Sequence, residues 1–410
     1  MSPAFWIASE NGSFIRRFLG IAGLTMTFVF ASSPHPEAAS RAAVERLTFQ
    51  ELSGWAQENH EQAFSTFLKN CSALAIQKSS LRPARNTGQK LAGICRKALA
   101  SGIGTAEQAR RFFEAEFEPW LIRGNSGDTG LLTGYYEPEF DGSLTRTEHY
   151  KNPLLARPDD LETIPDGETR PGIDPALKAA RRIGKGFAPY PTREEIEQGA
   201  LEKRTRPVIY LRSPAEAFII HVQGSARIRL ADGRTVRVAY AGRNGQPYTS
   251  IGRLLIERGE IDRDEMSLER LMGWLDAHPV QARDLMNLNK SFIFFRVADE
   301  LSAEDGPIGG AGIPLVPGRS LAVDRRFWSY GLPFWLEGVL PVSEGVTEPL
   351  GRLMIAQDTG SAILGAARGD FFFGSGRNAG TRAGLMRHQT RFIVLQPKGW
   401  KPGSRKPRWP

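Results

Sequence analysis

The fold is most constrained by the stretch Ala356-Gln357-Asp358-Thr359-Gly360-Ser361-Ala362-Ile363, which is followed by Gly369-Asp370-Phe371-Phe372-Phe373-Gly374. Each part places an aspartate beside a strand-like apolar run and a glycine turn. A third aspartate, Asp324, ends another apolar run, Leu321-Ala322-Val323. Because a carboxylate is costly to bury, three of them beside apolar strands predict a shared site. For any one of them, the alternative is a side chain that caps a turn.

Asp370 is the candidate for acid chemistry, because it directly precedes three phenylalanines. If those rings shield the carboxyl group, desolvation raises its pKa and keeps a proton on it. A protonated carboxyl group is what cleavage of a glycosidic bond requires at the leaving oxygen. The sequence therefore predicts that Asp370 donates a proton.

Short strands surround this stretch on both sides. Alternation and apolar runs predict strands at Leu131–Tyr136, Val208–Leu211, Phe218–Val222, Phe292–Arg296, Ser320–Val323, Phe334–Val339, Leu353–Ala356, Phe371–Phe373 and Phe392–Leu395, with a hairpin formed by Ala226–Leu230 and Thr235–Tyr240. Many short strands with glycine-rich turns indicate a compact β-barrel, so the predicted class is mainly β with peripheral helices.

Helices are predicted at the periphery. Residues 42–117 have helical periodicity, and Thr105 with Gln108 predicts a capping box. Two amphipathic helices are expected at Ile251–Arg258 and Leu268–His278, the second capped by Ser267. Residues 150–200 are rich in proline, glycine and charge, which predicts a loop or domain edge.

Composition limits the classes of function. The chain has 410 residues, of which 41% are hydrophobic and 24% charged, and this excludes a largely disordered protein. The net charge of +8 suits nucleic acid, an anionic membrane or a polyanionic wall. No basic helix or interleaving of basic and aromatic residues supports nucleic acid. Two cysteines and the lack of a His-Glu-x-x-His motif predict no metal site.

The amino terminus predicts export. Arg16 and Arg17 precede the apolar run 18–31, and small residues follow at 38–40. This order is typical of a secretory signal peptide, expected at residues 1–40, and the alternative is a retained membrane anchor. No cysteine precedes Cys71, so an acylated lipoprotein is not expected.

An exported protein lies where disulfides persist, so Cys71 and Cys95 are predicted to form a disulfide that links two short helices. The alternative is two buried free thiols. At the other end of the chain, residues 398–410 form a basic tail that is expected to be solvated and mobile.

Further blocks occur in a fixed order along the chain: Thr133-Gly134-Tyr135-Tyr136-Glu137-Pro138, Val222-Gln223-Gly224-Ser225, Tyr240-Ala241-Gly242-Arg243-Asn244-Gly245, Tyr248-Thr249-Ser250-Ile251-Gly252, Ser291-Phe292-Ile293-Phe294-Phe295, Gly306-Pro307-Ile308-Gly309 and Gly380-Thr381-Arg382-Ala383-Gly384. Together with the aspartate motifs, they resemble the membrane-bound lytic murein transglycosylase A family, which carries the three-aspartate domain. The resemblance covers about residues 45–397. The sequence departs from the family in lacking a lipobox cysteine and in having Ala226 where glycine is usual.

The resemblance implies a double-psi β-barrel catalytic domain at residues 45–142 and 292–397. A second, smaller β-domain is expected as an insert at 143–291, with a groove where the two meet. Peptidoglycan glycan strands are the implied partner, and proteins of wall synthesis or division are further candidates. The expected location is the periplasm, free or associated with the outer membrane. No metal or organic cofactor is implied.

The resemblance also implies the reaction. The family cleaves the β-1,4 bond between N-acetylmuramic acid and N-acetylglucosamine without adding water, and leaves 1,6-anhydro-muramic acid ends. The sugar's own 6-hydroxyl attacks, so one carboxyl group serves first as acid and then as base. The catalytic acid of the family maps onto Asp370. Asp358 and Asp324 match the other two aspartates, to which orientation, local charge and site architecture are assigned.

Substrate contacts are predicted at four residues. Tyr135 and Tyr136 are expected to stack on sugar faces, with packing at the barrel edge as the alternative. Gln223 and Ser225 are expected to form hydrogen bonds with acetamido or hydroxyl groups.

Two other functions fit parts of the sequence. Asp358-Thr359-Gly360 and Asp128-Thr129-Gly130 are similar to the paired motifs of aspartic peptidases, although Asp128 follows a loop rather than an apolar strand. A non-catalytic peptidoglycan-binding module is the other alternative, since such barrels need not be enzymes. The run 374–380 misses the dinucleotide-binding spacing by one residue and has no helical pattern after it, which argues against a nucleotide loop.

Overall fold

A computed structural model describes residues 43–402 except 87, 125, 126, 166, 264 and 303. The predicted signal peptide at 1–40 and the tail from residue 403 onward lie outside the described residues. The helices, numbered in chain order, are α1 His60–Ala75, α2 Gly88–Ala100, α3 Ala106–Glu116, α4 Arg193–Glu197, α5 Pro214–Gln223, α6 Ile251–Glu257, α7 Leu268–Ala277, α8 Pro279–Asn287 and α9 Arg377–Leu385.

The strands are numbered in the same way. They are β1 Ala43–Arg46, β2 Phe117–Arg123, β3 Gly130–Glu137, β4 Glu139–Ser143, β5 Asn152–Leu155, β6 Leu161–Thr163, β7 Ala179–Ile183, β8 Gly186–Pro189, β9 Pro207–Leu211, β10 Ser225–Arg229, β11 Thr235–Arg243, β12 Ile293–Val297, β13 Ser320–Val323, β14 Pro333–Ser343, β15 Val346–Asp358, β16 Arg368–Ser375 and β17 Arg387–Pro397.

Six strands close into a barrel, in the order β17-β14-β15-β13-β16-β3, with β3 pairing back to β17. Two of the pairs, β13 with β15 and β16 with β3, are parallel, whereas the other barrel pairs are antiparallel. Closure removes the exposed edges, and buried side chains such as Leu336, Phe371 and Phe392 form the core. The predicted mainly β class with a barrel is confirmed.

A second sheet lies beside the barrel, in the order β12-β11-β10-β4-β9-β5. A parallel bridge between Ala156 and Phe295 brings its two outer strands together. Pro138 separates β4 from β3, and β4 then pairs with β10 and β9. Strands β4 and β12 therefore belong to the second sheet, whereas the expected domain plan places residues 139–142 and 293–297 with the barrel.

One predicted strand is a helix. Residues 218–222 lie in α5, which begins at a capping box formed by Ser213 and Glu216, with Pro214 at the first helical position. The helix ends at Gly224, whose φ of +83° is readily adopted by glycine. Every residue of α5 from Ala215 to His221 except Glu216 is buried, and a short run that is apolar on all sides has no helical periodicity to detect.

Other local predictions also need correction. Residues 43–46 form a strand rather than a helix, and residues 150–200 contain β5–β8 and α4. Helices α8 and α9 were not predicted, and α9 follows the glycine run at 374–376, where helical periodicity is obscured by small residues. The absence of a helix therefore cannot be used against a nucleotide loop there, although the spacing argument remains.

Helices α1 and α2 pack against the barrel and are joined by a disulfide between Cys71 and Cys95. Half of the predicted capping box of α3 forms: the Thr105 hydroxyl accepts a hydrogen bond from the Gln108 amide, but Gln108 Oε1 accepts one from the Gly104 amide rather than from that of Thr105. The first residues of the basic tail are not free: Lys90 donates to two of their carbonyls, and Trp400 packs edge-on against Trp120. Within the described residues, no helix is both long and apolar enough to cross a membrane.

Candidate active site

One row of residues crosses five neighbouring barrel strands. Strand register aligns Asp358 of β15 with Ala322 of β13, Ala322 with Asp370 of β16, Asp370 with Thr133 of β3, and Thr133 with Arg387 of β17. All five residues line a pocket of about 490 Å³. Neighbouring strands lie roughly 5 Å apart, so the row brings polar side chains from distant parts of the chain into one pocket.

The opposite wall of the pocket comes from the second sheet and its helices. Its residues include Gln223, Ser225, Tyr240, Tyr248 and Ser250. The pocket thus lies where the barrel meets the second sheet. A cavity of this size with a mixed polar and apolar lining is typical of a ligand site.

Asp370 is half-buried at the barrel wall of the pocket. Its Oδ1 accepts a hydrogen bond from the Thr133 hydroxyl, which itself accepts one from Arg368 Nη2 at 2.8 Å. No described residue forms a hydrogen bond with Oδ2. Burial raises the pKa of Asp370 to about 6, against the opposing effects of the Arg368 charge and the Thr133 hydroxyl, and the nearby Asp358 adds to the rise. This carboxyl group can therefore hold and release a proton near neutral pH.

The predicted cause of this pKa rise is only partly right. Phe371, Phe372 and Phe373 do not line the pocket. Strand alternation turns Phe371 into the barrel core, and Phe372 packs against Tyr135 with ring centroids 5.2 Å apart. Burial of Asp370 is the cause of the rise, and the pocket walls around it come from both the barrel and the second sheet.

Asp358 faces the same pocket, but both of its oxygens are engaged. Oδ1 accepts hydrogen bonds from the amides of Gly310 at 2.7 Å and Thr359 at 2.8 Å, and Oδ2 accepts one from the Tyr135 hydroxyl at 3.0 Å. Burial raises the pKa of Asp358, and the Arg82 charge is the largest opposing effect. These contacts make Asp358 a fixed acceptor and leave it poorly placed to shuttle a proton.

Asp324 is not part of the pocket lining and is only 1% exposed. It forms an ion pair with Arg326 at 2.6 Å, and its Oδ2 accepts a hydrogen bond from the Gly365 amide at 2.7 Å. Gly365 lies in the loop that connects β15 to β16. The structure thus brings Asp358 and Asp370 together and places Asp324 behind them, where it holds the loop between their strands.

The four predicted substrate-contact residues all line the pocket. Tyr135 donates to Asp358, whereas Tyr136 is buried against Ala379 and Ala383 of α9. The backbone amide of Tyr136 also donates to Gln223 Oε1 at 3.4 Å, which links the barrel to α5. For Tyr136, packing at the barrel edge therefore describes its surroundings better than an open stacking face.

Sequence reasoning missed the arginines of the pocket. Arg82 lies 4.5 Å from the Tyr240 ring centroid and donates to the Thr359 carbonyl at 2.8 Å. Arg368 and Arg387 flank Thr133 across the barrel. No motif marks Arg82, because it lies in a loop far from the aspartates in sequence. Thr133 belongs to one of the sequence blocks that resemble the family, but its pairing with Asp370 is evident only from the strand register.

The structure also bears on the alternatives. Asp128, the second aspartate of the peptidase-like pair, forms an ion pair with Arg123 and does not line the pocket. Asp358 and Asp128 therefore do not form the shared carboxylate pair of an aspartic peptidase. Among the described residues, no group of three or more His, Cys, Asp and Glu could hold a metal ion.

Two family models match the chain. The MltA specific insert domain matches residues 131–296, and the 3D domain matches residues 319–396. The membrane-bound lytic murein transglycosylase A of Vibrio cholerae is 39% identical over 202 residues, which cover 48% of this chain and about half, 54%, of that protein. The protein of the same name from Escherichia coli is 31% identical over 306 residues, covering 73% of this chain and 74% of that one.

Solved structures agree with these matches. The crystal structure of a membrane-bound lytic murein transglycosylase from Agrobacterium tumefaciens has a TM-score of 0.77 at 35% identity, covering 87% of this chain and 98% of that chain. A crystal structure of E. coli MltA with bound chitohexaose has a TM-score of 0.58 at 26% identity, covering 89% of this chain and 93% of that chain. The chain belongs to the membrane-bound lytic murein transglycosylase A family.

Proposed function

We propose that this lytic murein transglycosylase cleaves the β-1,4 bond between N-acetylmuramic acid and N-acetylglucosamine with Asp370 as its single acid and base. The product is a glycan strand that ends in 1,6-anhydro-muramic acid. The observation that carries the proposal is the contrast between the two pocket carboxylates. Asp370 has one carboxylate oxygen that accepts no hydrogen bond from a described residue, and its pKa is raised to about 6. Both carboxylate oxygens of Asp358 already accept hydrogen bonds.

In the first step, protonated Asp370 donates its proton to the leaving glycosidic oxygen as the bond to muramic acid C1 breaks. In the second step, the carboxylate accepts the proton of the 6-hydroxyl, whose oxygen attacks C1 and closes the anhydro ring. The proton count balances, because Asp370 ends the cycle protonated. No water is consumed, and the attack benefits from being intramolecular.

Neighbouring groups support the reaction at Asp370. The Thr133 hydroxyl, itself held by Arg368, stabilises the carboxylate after the proton has left. Asp358, fixed by Tyr135 and two amides, adds negative charge near the developing positive charge of the oxocarbenium-like transition state. Asp324 is a positioning residue, since it holds the loop between β15 and β16.

The proposed division of labour follows the two sheets. The barrel supplies the catalytic side chains, and the second sheet with α5 supplies one wall of the glycan groove through Gln223 and Ser225. The proposed ligand is a peptidoglycan glycan strand, in line with the chitohexaose bound to the E. coli relative. The proposed location is the periplasm, free or at the outer membrane, on the basis of the signal-like sequence at residues 1–40.

The test compares Asp370→Asn with Asp358→Asn and the wild type on purified sacculi. Turnover should fall at least about 1,000-fold in Asp370→Asn, within the range expected for losing a general acid, while chitohexaose binding persists. Asp358→Asn should retain more activity, because it acts through local charge. Full activity of Asp370→Asn would show that another group is the acid.

A further inference from the structure

The pocket carries more positive than negative charge. Its lining includes three arginines, Arg82, Arg368 and Arg387, and two carboxylates, Asp358 and Asp370. Burial raises the pKa of both aspartates. When Asp370 is protonated, the pocket therefore carries still less negative charge. The sugar rings and acetamido groups of a murein backbone are neutral, so this excess of positive charge needs another explanation.

Two of the three arginines are accounted for by contacts within the protein. Arg82 donates to the Thr359 carbonyl and lies over the Tyr240 ring, and Arg368 holds the Thr133 hydroxyl. Arg387 differs from both. Its side chain is exposed at the pocket and, within the described part of the chain, takes part in no hydrogen bond or ion pair.

Arg387 also lies close to another cation. Its positive charge contributes to lowering the pKa of Arg368, although burial is the larger cause. The Asp370 carboxylate offsets the repulsion between these two guanidinium groups, and this offset is lost when Asp370 is protonated. A carboxylate is well suited to this position, since it forms short, charge-assisted and often bidentate hydrogen bonds with arginine.

Strand register places this pair beside the reacting centre. Arg387 lies opposite Thr133, and Thr133 lies opposite Asp370. Two strand spacings separate the backbones of Arg387 and Asp370, which is roughly 10 Å. A substituent on the sugar whose glycosidic oxygen meets Asp370 is therefore within reach of the Arg387 guanidinium.

We propose that Arg387, backed by Arg368, forms an anion subsite for a carboxylate carried by the muramyl residue. The proposal rests on the proposed function, because it assumes that the glycan lies over Asp370. Two groups of the substrate carry such a carboxylate: the free lactyl group of a peptide-free strand, and the acidic groups of a stem peptide. The subsite makes the enzyme selective for muramyl strands over a neutral polymer of N-acetylglucosamine.

The test measures binding to the uncleaving Asp370→Asn protein, so that its outcome does not depend on turnover. The ligands are chitohexaose, peptide-free murein oligosaccharides with free lactyl carboxylates, and peptide-bearing murein oligosaccharides. In this background, Arg387→Gln is compared with Arg387→Lys and with Arg96→Gln, an exposed arginine of α2 that does not line the pocket. Calorimetry gives each Kd at low and moderate salt.

The expected result is that Arg387→Gln weakens binding of murein oligosaccharides about tenfold relative to chitohexaose, the size of one charge-assisted hydrogen bond. Arg387→Lys should recover part of the loss, and Arg96→Gln should cause none. A loss confined to peptide-free ligands assigns the lactyl carboxylate, and one confined to peptide-bearing ligands assigns the stem peptide. An unchanged ratio, or an equal loss on chitohexaose, would overturn the subsite. Failure of the wild type to form anhydro ends would instead count against the proposed function alone.

Discussion

Asp370 and Asp358 are the same residue type in the same pocket, and their hydrogen bonds give them different roles. Thr133 is the only described side chain that donates to Asp370, so this hydroxyl controls the stability of its carboxylate form. In Thr133→Val, loss of the donor should raise the pKa of Asp370 further. The alkaline limb of kcat/KM, which reports loss of the catalytic proton, should then move roughly half to one pH unit higher.

Thr133→Ser is the control for this prediction, because it keeps the hydroxyl. Its pH–rate profile should match that of the wild type. A profile of Thr133→Val that loses height at every pH without moving would show that the hydroxyl does not tune the acid.

Asp370 should also limit the stability of the folded protein at neutral pH. The pKa of Asp370 is about 6 in the folded protein and about 3.8 when unfolded, so folding favours the protonated form. Its stabilising effect is complete below about pH 4 and is lost as the pH rises through 6. Asp370→Asn removes this dependence, so its Tm should exceed that of the wild type by about 1–3 °C at pH 8 and should match it near pH 4. Equal melting temperatures at both pH values would contradict a buried, costly carboxylate.

At the residue scale, the sequence could identify the aspartates but not all of their partners. Asp358 and Asp370 stand out because acidic residues beside glycine turns and apolar strands are unusual. Arg82 and Arg387 do not, since neither lies in a motif and arginine is a common surface residue. Only barrel closure places Arg387 next to Thr133, and closure depends on register across strands far apart in the chain.

At the scale of elements, the close fit of α9 on β3 shapes the pocket. A Cβ at Gly134 would lie 2.6 Å from the Phe373 ring and 2.8 Å from the Cα of Ala383, so β3 and α9 approach too closely for any side chain. Gly134→Ala should therefore destabilise the protein by about 1–3 kcal/mol and reduce activity, since Ala383 and Gly384 line the pocket. Denaturant unfolding and a murein assay check the two effects.

Gly273→Ala is the matched control. Gly273 is an exposed residue of α7, and a Cβ there would meet nothing within 4 Å. Gly273→Ala should raise the free energy of unfolding by about 0.5–1 kcal/mol, because alanine has a higher helix propensity than glycine. If Gly134→Ala were as benign as this control, the close contact between β3 and α9 would not matter.

The elements also show where pattern reasoning succeeds. Alternating strands such as β10 and β11 were predicted with their hairpin, because half-buried strands leave a period of two. Helices α5 and α9 were not predicted. Helix α5 is apolar on nearly all sides, and the glycines and alanines of α9 mask its periodicity. Their type is decided by packing and by caps rather than by pattern.

For the whole molecule, a buried ion cluster joins the barrel to the second sheet. Glu137 at the end of β3 is fully buried and lies 2.9 Å from both Arg227 of β10 and Arg237 of β11, and Ser375 of β16 donates to it at 2.7 Å. Glu137→Gln leaves buried arginine charge without its partner. It should cost about 3 kcal/mol or more and raise KM, because the two walls of the pocket are no longer held together.

Glu139→Gln is the control for the whole-molecule prediction. Glu139 pairs with Arg229 at 3.3 Å near the surface, where both side chains are substantially exposed. Its loss should change the free energy of unfolding by less than about 1 kcal/mol. A Glu137→Gln protein that behaved like this control would show that the cluster does not hold the sheets together.

The expected domain plan stays a prediction, but two strands lie in a different sheet from the one it implies. Two separated strand-rich regions were evident from pattern, and the resemblance supplied the insertion. Strands β4 and β12 were assigned to the wrong sheet, because each is contiguous in sequence with the barrel region but pairs elsewhere. Hydrogen-bond partners, rather than strand propensity, decide which sheet a strand joins.

The most direct test of the central claim is digestion of purified sacculi in H₂¹⁸O, followed by mass spectrometry of the released fragments. Intramolecular attack assisted by Asp370 predicts 1,6-anhydro ends that carry no ¹⁸O at the cleaved carbon. Reducing ends labelled with one ¹⁸O would show that water is the nucleophile, and this would contradict a mechanism that needs only one proton-carrying carboxyl group.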